Sequence, residues 1–164
     1  VKLAQQQLHV GIGEIVISED LTSIIVAANL GSCLGFSVYD NKRKLAGMVH
    51  CLLPLSKSDP DKAKAKPGMY VDTGVCALMS HFLDSGSNRE DLVLGVAGGA
   101  AVSDSGGVFD IGKKNYVALK KMLWKNSLLL KAEHVGENYP RTVMLHVNDG
   151  TLLLKAQGET IQLF

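Results

Sequence analysis

The chain has 164 residues, 46% apolar and 20% charged, the composition of one soluble globular domain spanning residues 1–164. Its net charge of +1 gives no electrostatic reason to expect nucleic acid or an anionic membrane as partner. No apolar run approaches the roughly 20 residues that cross a bilayer, so no membrane insertion is expected, and the first residues do not read as a secretory signal.

In chain order, HVGIGEIVIS (His9 to Ser18) alternates with β-branched residues and predicts a strand, and TSIIVAANL (Thr22 to Leu30) a second, more buried one. After Gly31 and Ser32, CLGFSVYD and KLAGMVHCLL form a hairpin around the polar tetrapeptide DNKR. PLSKSDPDKAKAKPG, Pro54 to Gly68, is polar, lysine-rich and bracketed by prolines, which predicts a mobile surface loop. YVDTGVCALMSHFLDSG is a helix with Val71, Val75, Leu78 and Phe82 on one face and Gly86 as its stop. DLVLGVAGGAA is a buried strand ending at Gly98-Gly99. GKKNYVALKKMLWKN is an amphipathic helix with Tyr116, Leu119 and Leu123 inward and Trp124 packed near its end. SLLLKAEHVGE and RTVMLHVNDGTLLLKAQG supply further strands, the last two joined at Asn148-Asp149-Gly150. Seven or eight strands without regular β-α alternation predict an α/β (α+β) fold of mixed sheets with helices packed outside.

The candidate chemistry lies in the hairpin. With Asp40 to Arg43 as the loop, Tyr39 faces Lys44, Gly35 faces Met48, and Cys33 faces His50. Leu34, Phe36, Val38, Leu45 and Val49 then line the opposite face as a core stripe. A thiol beside an imidazole is a nucleophile beside its base. Gly31 and Gly35 would allow a tight bend and close substrate approach, and the N–H groups near Ser32 and Cys33 an oxyanion hole. A buried cysteine is equally a small apolar residue, so geometry alone leaves both readings open. Cys33, Cys51 and Cys76 are an odd, sparse set without Cys-x-x-Cys spacing, which fits a reducing cytoplasm and not a disulfide framework. Cys33, His50, Cys51, Cys76 and His81 have no recognised metal-ligand spacing, and Cys51 is expected to face away from His50.

VGIGEIVIS, LGSCLGFSVYD, LAGMVHCLLP, KPGMYVDTGV, VAGGAAV, IGKKNYVALKKML and YPRTVMLHVNDGTLLLK, in this order, resemble the CheD family of chemoreceptor glutamine deamidases. The resemblance implies a sandwich of mixed β-sheets flanked by helices, as in toxin deamidases, with Cys33 as nucleophile, His50 as base and no cofactor. It implies as partners the cytoplasmic helices of methyl-accepting receptors and the phosphatase CheC. The run after Gly99, AAVSDSGGVFD, lacks the early aromatic expected of a CheC binder. One position departs from the family: a threonine six residues before the cysteine completes the catalytic group, and here Ala27 stands in its place. A methyl group cannot orient an imidazole. Asn29, Ser32 and Thr73 are the candidate substitutes, and Tyr70 and Asp72 match a family motif as candidate substrate contacts. Asp72 or Thr73 as a helix cap is the alternative. Ala27 also keeps open a second reading, a binding module that tunes receptors without efficient chemistry.

Overall fold

The computed structural model describes residues 4–101 and 110–164, so most of the run that bears on CheC lies outside the described residues. One five-stranded sheet contains β1 (Gln6–His9), β3 (Ser23–Leu30), β8 (Arg141–His146), β9 (Leu152–Ala156) and β10 (Glu159–Gln162), in that order across the sheet. The other runs β2 (Ile15–Ser18), β5 (Leu45–Cys51), β4 (Leu34–Asp40), β6 (Leu92–Gly98), β7 (Ala132–Val135). Both sheets are mixed, because β1–β3 and β6–β7 pair parallel and the other neighbours antiparallel. The helices are α1 (Pro60–Ala65), α2 (Val71–Asp84) and α3 (Ile111–Lys125).

Every residue of β4 and β5 is buried, because their sheet is covered on both faces. Leu34, Phe36, Val38, Leu45, Val49 and Cys51 pack under α2 and α3, against Val75, Leu78, Phe82 and Leu119. The opposite face meets the first sheet in a second core that joins Cys33, Ala46 and Met48 to Ile25, Ala27, Leu30, Val143 and Leu154. On β8, burial alternates from Arg141 through Val143 to Leu145, so the outer face of the first sheet is more open.

Several expectations are corrected. His9 to Ser18 is not one strand: β1 and β2 enter different sheets, and the chain crosses between them at residues 10–14, where Gly13 has φ +79°. Pro54 to Gly68 is not wholly loop, because Asp59 accepts from the Lys62 N–H and Pro60 opens α1 with its φ already set. Tyr116 does not join the inward face of α3; its hydroxyl donates to Glu133 at 2.6 Å. Trp124 is not packed but 85% exposed. A last strand, β10, follows a turn at Gln157 and Gly158, both at positive φ. Its residues are all exposed, so no buried alternation marked it.

Candidate active site

The hairpin register differs from the expected one by two residues. Gly35, not Cys33, pairs with His50, and Leu34 pairs with Cys51. The cause is Asp40. Its carboxylate accepts from the N–H groups of Lys42 and Arg43, both at 3.0 Å, and from the Ser87 hydroxyl at 2.5 Å. That fixes Asp40 as the last paired residue, opposite Leu45, and moves the turn to 41–44, where Lys44 takes φ +52°. An even shift preserves the alternation, so His50 still shares the face of Ala46 and Met48, toward the layer that holds Cys33. Cys33 lies in a bend one residue before β4.

His50 is 5% exposed and held on three sides by the crossing between β1 and β2. Its N–H donates to the Glu14 carbonyl at 3.2 Å, its carbonyl accepts from Gly13 N–H at 2.7 Å, and Nδ1 lies 2.9 Å from the Val10 carbonyl. A carbonyl only accepts, so the proton sits on Nδ1 and the lone pair on Nε2. Burial pulls the imidazole pKa below its ordinary value, opposed in smaller measure by the Val10 carbonyl and the Glu14 carboxylate. Burial likewise pushes the Cys33 thiol up, partly offset by its own backbone N–H. The resting pair is therefore neutral thiol and neutral imidazole.

The bend at 31–33 is tied back by its carbonyls. Gly31 O accepts from Ala100 N–H at 2.9 Å, Ser32 O from Asn115 Nδ2 at 3.0 Å, and Cys33 O from Gly99 N–H at 2.9 Å. Gly98 must be glycine: at φ +116°, a Cβ there would lie 2.1 Å from Cys33 O. No described carbonyl accepts from the N–H of Ser32 or Cys33. Gly35 serves packing and not a bend. A Cβ there would meet Leu30 Cδ1 at 2.9 Å, and Ala27 Cβ lies 3.6 Å from the same point.

The other candidates are placed elsewhere. Asn29 takes φ +54° at an irregularity between Ala27 and Leu30, and its N–H donates to Thr142 Oγ1. Thr73 Oγ1 donates to Pro67 O at 2.6 Å, and the Asp72 carboxylate accepts from Ser56 N–H and Oγ. Both brace the segment before α2. Tyr70 is buried at the start of that helix, without a side-chain cap bond. Among the described hydrogen bonds, none of these side chains reaches His50, and Ala27 is fully buried. Cys51 faces α2, its thiol driven far up by burial, while Cys76 is exposed.

A sequence profile described as CheD chemotactic sensory transduction matches residues 52–156. Proteins named probable chemoreceptor glutamine deamidase CheD align along nearly the whole chain. That of Solibacter usitatus (strain Ellin6076) is 40% identical, over 96% of this chain and 94% of its own. That of Syntrophus aciditrophicus (strain SB), named CheD 1, is 39% identical over 91% and 93%. That of Methanococcus vannielii is 35% identical over 93% and 96%. The chain belongs to the CheD family. The profile match begins beyond both Cys33 and His50, so the full-length relatives carry the N-terminal part of the CheD assignment.

Two contributors to this candidate site were missed in the sequence. Val10 acts through its carbonyl, which no side-chain pattern reveals. Asn115 is fully buried and its amide donates to both Ser32 O and Leu52 O. Its signal was legible: an amide on the inward face of α3, beside Gly112, Ala118 and Leu119, needs a buried partner. Arg141 braces the turn between β7 and β8. It is 1% exposed, and its guanidinium donates to the carbonyls of His134, Gly136 and Tyr139. No described helix is long and apolar enough to cross a membrane.

Proposed function

We propose that this chain, acting as one domain in the cytoplasm, hydrolyses glutamine side chains of methyl-accepting chemoreceptors to glutamate. The observation that carries the reading is the His50 imidazole, fixed by the Val10 carbonyl in the tautomer of a base, in the layer that holds Cys33. The names of the relatives support it. His50 Nε2 takes the thiol proton as Cys33 Sγ attacks the side-chain amide carbon. The carbonyl π pair moves onto oxygen, which Ser32 and Cys33 N–H groups receive. His50 returns its proton to the amide nitrogen, the C–N bond breaks, ammonia leaves and a thioester remains. Water then attacks the thioester and loses a proton to His50. The C–S bond breaks, and the proton returns to sulfur. A glutamyl methyl ester follows the same course with methanol leaving. The Val10 carbonyl takes over the orienting task that Ala27 cannot perform.

Ala27 favours a second reading, a receptor- or CheC-binding module without efficient turnover. One experiment separates the two: ammonia release from a receptor cytoplasmic fragment, wild type beside Cys33→Ala, with Gln-to-Glu sites located by mass spectrometry. Release that disappears in the variant is expected. A wild type that binds the fragment and releases nothing leaves the binding module.

A further inference from the structure

The exposed residues of α3 are seven: Lys113, Lys114, Val117, Lys120, Lys121, Trp124 and Lys125. Five are lysines, and the helix contains no acidic residue. At 100° per residue, Lys113, Val117, Lys120 and Trp124 fall within one narrow stripe, with Lys114, Lys121 and Lys125 along one side. Val117 is 41% exposed. The acids described beside this face are few. Asp110 caps the helix through Lys113 N–H, and Glu133 lies 3.9 Å from Lys120 and bonds Tyr116. A chain with net charge +1 thus concentrates five positive charges around two exposed apolar side chains on one helix.

The helix that carries this face also braces the bend at Cys33. On the inward side of the same helix, Asn115 holds Ser32 O and Leu52 O. On the outer side, an apolar groove between α3 and the segment after β5 is lined by Pro54, Leu55, Lys113, Val117 and Lys121. Burying Trp124 and Val117 against apolar side chains while the lysines meet carboxylates matches one kind of surface, a helix with an apolar stripe edged by acids. A bilayer fits less well. The inward face of α3 is packed on β4, and two exposed apolar residues are too few for interfacial insertion.

We infer that the lysine-edged face of α3 docks an acidic amphipathic helix of the receptor and so delivers its glutamine to Cys33. The inference rests on the proposed function for the identity of that helix, but its test does not depend on turnover. Trp124 is the single tryptophan of the chain, so its emission reports on this face alone. A purified receptor cytoplasmic fragment is titrated into the protein while emission and ammonia are followed. In parallel, vesicles of phosphatidylglycerol and phosphatidylcholine are titrated. The expected result is a blue shift with the fragment and none with vesicles. Affinity should fall about tenfold from 50 to 500 mM salt, and by about tenfold or more in Lys121→Glu/Lys125→Glu. These lysines are exposed, so the variant should melt with the wild type. A blue shift without ammonia supports docking and removes the deamidase reading. Ammonia release without a shift overturns docking and leaves the deamidase standing. A shift with vesicles alone, or with neither probe, overturns docking.

Discussion

Asn115→Leu is the sharpest test of how the site is assembled. Leucine keeps the number and branching of side-chain heavy atoms but removes both N–H donors, so the part-buried carbonyls of Ser32 and Leu52 lose their described side-chain partner. Each such bond contributes about 0.5–1.5 kcal/mol net, and a carbonyl left dry costs about 1–3 kcal/mol. These describe the same loss from two reference states and are not summed. Asn115 Oδ1 is buried without a partner, and its removal offsets part of the cost. A net destabilisation of about 1–3 kcal/mol follows for the two contacts. Because Ser32 O is one of three carbonyls that tie back the bend of Cys33, the variant should also lose at least about tenfold in kcat while still folded. Urea unfolding reads the first effect, and ammonia release well below the unfolding midpoint reads the second. A stability change under about 0.5 kcal/mol with kcat within about twofold would refute the reasoning.

The pH profile should be lopsided. The proposed reaction needs neutral His50, whose pKa burial depresses, so kcat/KM should fall on the acid side with a midpoint below about 6.5. The rate should then stay level until the raised thiol titrates above about 8.5. An acid midpoint at 7 or higher would contradict a buried neutral imidazole. The same depression weakens folding as pH falls below about 6.5, where the unfolded chain takes up the proton first, and urea midpoints at pH 7 and 5.5 would show it. Ala27→Thr should raise kcat less than about threefold, since the Val10 carbonyl already fixes the ring; a hundredfold rise would mean that it does not. Arg141→Met should cost about 1–3 kcal/mol, read as a lowered urea midpoint, by taking the guanidinium from the part-buried carbonyls of His134, Gly136 and Tyr139. Arg141→Lys should recover little, because one ammonium cannot reproduce the planar fork.

The face assignment of Cys33 and His50 was legible in the sequence because two apolar stripes, 34–36–38 and 45–49, fix which side of the hairpin is inward. The register was not. DNKRK can close as a four-residue turn in either of two frames, and the choice falls to the Asp40 carboxylate, whose third partner, Ser87, is 47 positions away. Mixed sheets with helices outside could be expected from the order of elements, and the sandwich from the family resemblance. The division of His9 to Ser18 between two sheets could not, since it is set by the pairing of β1 with β3 and of β2 with β5, strands distant in the chain. Asn115 was discoverable as a polar residue on an apolar face. Trp124 was not, because its large apolar ring favoured burial and the helix turned it to water.

The crossing at residues 10–14 has a mechanical consequence. It fastens the amide, the carbonyl and the ring of His50 at once, and its N-terminal anchor is β1, an edge strand paired only on the β3 side. Tension on the N-terminus is therefore transmitted to the aim of the imidazole, whereas tension on the C-terminus reaches β10, at the far edge of the same sheet. A pull applied at β10 leaves the first strand slack.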